Sequence, residues 1–183
     1  MMQALCADAT ANAEASDGAS QAIVDLCGFA AVPAAVAPSR TQVLRAFEEL
    51  PLYRGAIRTD PIRSTLVNLE TYFWCADTAD RGCDLIGEGE RRVTLLGQPV
   101  RIRPRILSYS WDFGDGSGDQ VTAGRAAHTY AHATEATVTL TLSWTADYAV
   151  GGGGFQPVGG TTTTTSPPRA LPVREAEAVI VGG

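Results

Sequence analysis

From Thr137 to Leu142 the chain alternates polar and apolar residues without a break, Thr-Val-Thr-Leu-Thr-Leu. That period of two predicts a β-strand with Val138, Leu140, Leu142 and Trp144 on a buried face and Thr137, Thr139, Thr141 and Ser143 on a wet one. A second strand precedes it. There Leu107, Tyr109 and Trp111 share one side and Ser108, Ser110 and Asp112 the other, so Trp111 is expected to anchor the core between two sheets. Between the two lies Phe113-Gly114-Asp115-Gly116-Ser117. Its glycines admit the positive φ that a Cβ resists, and Asp112 and Asp115 are placed to accept backbone N–H bonds inside the reversal.

Upstream, Thr65 to Trp74 reads as a strand with Val67, Leu69, Thr71 and Phe73 facing one way and Asn68, Glu70, Tyr72 and Trp74 the other. Arg92 to Leu96 and Val100 to Ile106 read as strands around a Gly97-Gln98-Pro99 turn. After Trp144, Gly151 to Gly154 predicts a flexible hairpin tip. The five threonines at 161 to 165, bounded by Pro167 and Pro168, predict an extended strand returning from it, and Glu175 to Val181 a closing strand. Helical spacing occurs most clearly once. Ser39 and Gln42 form a capping box, Val43, Leu44, Phe47 and Leu50 follow, and Pro51 ends the segment, whose apolar face is expected on an edge or end of the sheets. Residues 1–30, rich in Ala, Asp and Ser, read as a loose helix pair or an acidic arm, and Ala31 to Pro38 as a linker. Three segments follow: an acidic Ala-rich appendage over 1–37, a capped helix and connection over 38–64, and a β-sandwich with a Gly/Thr-rich hairpin insertion over 65–183.

The residues Trp111-Asp112-Phe113-Gly114-Asp115-Gly116, His128-Thr129-Tyr130 and Val138-Thr139-Leu140 resemble the signature of the polycystic kidney disease (PKD) domain. The resemblance implies an all-β, immunoglobulin-like antiparallel sandwich, known mostly as an extracellular spacer or interaction module, in which the His128 position is structural. Thr134 and Ala136 stand where the family usually has Gly and Tyr.

The charge of −6 argues against long-range attraction to nucleic acid or an anionic bilayer, and no window approaches the roughly 18 consecutive apolar residues of a membrane span. Arg101, Arg103 and Arg105, with Arg91 and Arg92 before them, read as the solvated side of a strand, with an anion or glycan contact as the competing reading. All 14 basic residues are Arg, which with abundant Ala and Gly points to a GC-rich genome of the actinobacterial kind. The four cysteines allow three full pairings, and spacing favours the local ones, Cys75 with Cys83 and Cys6 with Cys27. Two disulfides imply an oxidising, extracellular or cell-surface location. An export leader is expected with that compartment. Met1 to Thr10 has neither a basic start nor an apolar run, and Leu171-Pro172-Val173-Arg174-Glu175 is not a sorting tail.

Groups for catalysis are scarce. His128 and His132 are the only histidines, four residues apart in a strand context that does not suit a shared metal. No Gly-x-Ser-x-Gly elbow occurs, and the glycine run lacks the Gly-Lys-Ser/Thr of a phosphate cradle. Asp112, Asp115 and Asp119 in one glycine-rich loop form a weak calcium candidate against the reading of the turn as backbone bracing. Tyr72 and Trp74, beside the Cys75 to Cys83 loop, are either cover beneath the N-terminal helix or a possible binding surface. The expectation is therefore a non-enzyme without cofactor, contacting protein or glycan at the cell surface. The alternatives are a surface-filament subunit that self-associates by strand or arm exchange, a carbohydrate-binding accessory module, and a calcium-stabilised adhesin.

Overall fold

The computed structural model describes residues 36–77, 82–83, 89–121 and 123–176, all in one unit that begins at Val36. The N-terminal arm, the pairing of Cys6 with Cys27 and most of the expected closing strand lie outside the described residues. The elements are α1 (Arg40–Glu48), β1 (Ala56–Asp60), β2 (Thr65–Leu66), β3 (Glu70–Ala76), β4 (Arg91–Leu95), β5 (Gln98–Asp112), β6 (Gly118–Val121), β7 (Arg125–Thr129), β8 (Thr134–Val150), β9 (Gln156–Pro157), β10 (Thr162–Thr165) and β11 (Arg169–Arg174).

The two longest strands organise the molecule. β5 and β8 run antiparallel from the Val100–Val150 pair to the Asp112–Thr139 pair. The far edge of β8 is taken in turn by β11, β10 and β9, and that of β5 by β4 at one end and β6 at the other. With β2 alongside β11 this makes a sheet of eight strands; the second sheet is β1-β3-β7, all antiparallel. The strict alternation along β8 does what its period demands, burying Val138, Leu140, Leu142 and Trp144 almost completely and extending the row to Ala136, Ala146 and Tyr148. The threonine run pairs with it, Thr162 opposite Trp144 and Thr165 opposite Thr141.

Two elements cover that inner face. Over one part of the β5–β8 pair lies the three-stranded sheet, whose Phe73 sits 6.0 Å from the Trp111 ring and 5.1 Å from Phe113. Trp111, 2% exposed, is thus the inter-sheet anchor that its alternation predicts. Elsewhere α1 packs on β4 and β5 and buries Val43 and Phe47 completely. Its capping box is present in full, with Gln42 N donating to Ser39 Oγ and Ser39 N to Gln42 Oε1, and Arg40 Nε ties the helix to the carbonyl of Val158 at 2.9 Å.

Several expectations need correction. Leu107 does not join Tyr109 and Trp111 on the buried side; the register shifts between Ile106 and Ser108, and the bulge turns Leu107 outward to 49% exposure. Thr65 to Trp74 is two strands rather than one, because the chain turns at Asn68, where φ is +61°, and leaves Leu69 exposed. The hairpin between β4 and β5 turns at Leu96-Gly97, both at positive φ, with Gln98 already paired to Leu95. Ala56–Asp60, placed in a connection by the sequence, is a strand of the second sheet. The glycine tip is tied down: Gly151 N donates to Pro99 O at 2.8 Å, and the Arg101 guanidinium to Gly153 O at 3.1 Å.

Candidate functional site

The aspartate-glycine turn brings Asp112, Asp115, His128 and Tyr130 together, and its geometry is that of a brace. Asp112 Oδ1 accepts from Gly114 N at 2.9 Å, and Asp115 Oδ1 from Ser117 N at 3.0 Å and from the Ser117 hydroxyl. His128, at the end of β7, donates from Nε2 to Asp115 Oδ2 at 2.7 Å, while its ring stacks on Phe113 with centroids 4.3 Å apart. Tyr130 meets the imidazole edge-on and donates its hydroxyl to Phe113 O at 3.0 Å. Burial alone would raise the Asp115 carboxyl, but the bonds from Ser117 and His128 outweigh it and hold the group at about 2. Burial, with the Asp115 and Asp112 charges, pushes the Tyr130 phenol upward, so it remains a neutral donor. The carboxylates of Asp112 and Asp115 thus bond to the turn itself and to His128 beside it. Among the described residues no three His, Cys, Asp or Glu side chains gather to hold a metal ion, so the calcium candidate Asp112, Asp115 and Asp119 forms no such cluster. His132 is exposed, beyond the end of β7.

The outer face of the three-stranded sheet differs. Strand pairing aligns Arg58, Trp74 and Arg125 in one row across β1, β3 and β7, and Asp60, Tyr72 and Ala127 in the next. Tyr72 is 51% exposed and Trp74 partly exposed. α1 packs on the other sheet, so these rings do not lie beneath the helix. Asp60, Tyr72, Trp74 and Arg125, with Phe73 and Ala126, line an open groove of about 240 Å³. The Tyr72 hydroxyl donates to Glu70, and that bond and the carboxylate charge raise the phenol pKa, fixing the ring as a neutral wall. The next residue along β3, Cys75, is bonded to Cys83 with a Cα–Cα distance of 5.3 Å, which braces the strand that carries both rings. Sequence reasoning singled out Tyr72 and Trp74 but missed Asp60 and Arg125. The alternation Ile57-Arg58-Thr59-Asp60 was the available signal for the first, and nothing local marked the second.

A third feature is the basic side of β4 and β5. Arg92 lies opposite Arg101. The Arg103 guanidinium sits 3.7 Å above the Phe155 ring, with Arg101 at 4.9 Å, and Arg103 also bonds Glu90 at 3.2 Å. Arg105 pairs with Asp147 at 3.8 Å. Arg103 and Arg105 are solvated, as their spacing predicts, but these arginines are largely engaged within the fold.

Residues 82–149 match the family model of the PKD domain, a span that holds β4 to β7, nearly all of β8 and the whole aspartate-glycine signature. The two-sheet β-sandwich extends beyond that span: of the second sheet only β7 lies within it, and α1, β1 to β3 and β9 to β11 lie outside. No curated protein and no solved structure matches the chain. The groove therefore straddles the boundary, with Arg125 and Ala126 inside the matched span and Asp60, Tyr72 and Trp74 before it.

Proposed function

We propose that this protein is a non-catalytic interaction module working outside the cytoplasm, and that it contacts protein or glycan at the cell surface through the outer face of β1, β3 and β7. The observation carrying this reading is the pair Tyr72 and Trp74, two aromatic rings at a charged groove on a disulfide-braced strand. Aromatic side chains supply large contact area at low conformational cost and dominate recognition surfaces. The PKD match over 82–149 supports a module of this kind, and the Cys75–Cys83 bond supports an oxidising compartment.

The test is co-sedimentation of the purified chain with a bacterial cell-envelope fraction. The wild type is expected in the pellet, and Trp74→Ala, folded by near-ultraviolet circular dichroism, in the supernatant. Equal pelleting of the two would remove the surface from the account. Intact mass without reductant checks the compartment argument, which four free thiols would end.

A further inference from the structure

The charges around the groove restrict what it can hold. Asp60 and Arg125 stand on opposite sides of the Tyr72–Trp74 stripe, one on each neighbouring strand, and neither makes an ion pair among the described residues. An anionic ligand meets Asp60 and, one row on, Glu70. A cationic one meets Arg125 and Arg58. A wholly apolar one strips water from a carboxylate and a guanidinium without replacing its hydrogen bonds. A neutral polyol satisfies all four walls: its hydroxyls donate to the carboxylate and accept from the guanidinium, while its C–H faces lie on the rings. Size agrees, since about 240 Å³ is below the roughly 300–1,000 Å³ typical of drug-sized and cofactor sites and suits a single sugar ring.

We infer that this groove is a subsite for one pyranose ring of a neutral polysaccharide, with Trp74 and Tyr72 as the stacking platform, Asp60 accepting from ring hydroxyls and Arg125 donating to them. The inference rests on the interaction face proposed above and names its ligand class.

Native gel electrophoresis tests it, in gels containing β-glucan, xylan, galactomannan or starch, with pectate as the anionic comparison and a polymer-free gel as baseline. At least one neutral polymer is expected to retard the wild type. Tyr72→Ala and Trp74→Ala should each weaken the retardation about tenfold or more, and the isosteric Asp60→Asn by about tenfold, the scale of a lost charge-assisted hydrogen bond. Arg92→Ala, on the other sheet, should leave it unchanged. Because Asp60 and Tyr72 are exposed, those variants read binding even if Trp74→Ala fails to fold. Retardation by pectate alone, or by no neutral polymer, overturns the sugar assignment. In that case loss of envelope co-sedimentation in Tyr72→Ala leaves the interaction face standing with a different ligand, and its retention removes both.

Discussion

Gly114 and Gly116 occupy the same turn and the same left-handed region of backbone space, with φ of +77° and +88°. Their surroundings separate them. A Cβ on Gly114 would lie 2.5 Å from the backbone nitrogen of Thr137, whereas one on Gly116 would meet nothing within 4 Å. Gly114→Ala combines backbone strain with a clash against a strand that cannot retreat, and is expected to cost about 3 kcal/mol or more; Gly116→Ala should cost only about 1 kcal/mol of strain. Urea unfolding of the two variants checks this, and equal losses would contradict the close approach. At Asp115 the same turn reports on pH. A carboxyl held at about 2 instead of 3.8 adds stability that is complete above the higher value and is lost as pH falls toward the lower. Asp115→Asn should therefore be less stable than the wild type at pH 5, with the gap closing between about pH 4 and about pH 2. A gap that stays constant through that window would mean the carboxylate is not held by Ser117 and His128.

Elements differ in how plainly their residues declare them. β8 is legible because Ala136 to Tyr148 keep one period, and the row buried there is the one the alternation marks, with Ala149 buried out of phase. β5 departs from its expectation in three places: it is one strand where the sequence reads as two, Gln98 and Pro99 pair with β4 instead of turning, and the buried parity changes at Leu107. Ile106 and Leu107 are both apolar, so the bulge that switches the buried parity from Val100 and Ile102 to Tyr109 and Trp111 leaves no trace in the composition. It predicts that Leu107→Ser changes stability by no more than about 0.5 kcal/mol while Leu140→Ala costs about 2–5 kcal/mol, both measured by denaturant unfolding. A comparable cost at Leu107 would return that side chain to the core. β11 escaped notice because Pro172 argues against a strand, although Leu171 and Val173 on either side of it are buried. β1 is five residues closed off by Gly55 and Pro61, short enough to pass for a connection. The groove was half legible for the same reason: Tyr72 and Trp74 share a strand, but Asp60 and Arg125 reach them only through pairing between strands far apart in sequence.

Across the whole described unit, the internally bonded charges and the face proposed for recognition occupy different places. In the aspartate-glycine turn Asp112 is held by Gly114 N and Asp115 by Ser117 and His128, and the arginines of β4 and β5 are largely engaged with Glu90, Asp147, Gly153 and Phe155. The outer face of the three-stranded sheet instead presents aromatic area and two charges without ion partners, on a strand that the Cys75–Cys83 bond holds in place. An overall charge of −6 adds no long-range pull toward polyanions, so selectivity must come from this local chemistry. The most direct measurement is amide chemical-shift mapping during titration with the polymer or envelope extract that retains the wild type. Perturbations should centre on Asp60, Tyr72, Trp74 and Arg125 and leave Gly114 to Ser117 unmoved. A response centred on Arg92, Arg101 and Arg103, or on the aspartate-glycine turn, would contradict the account.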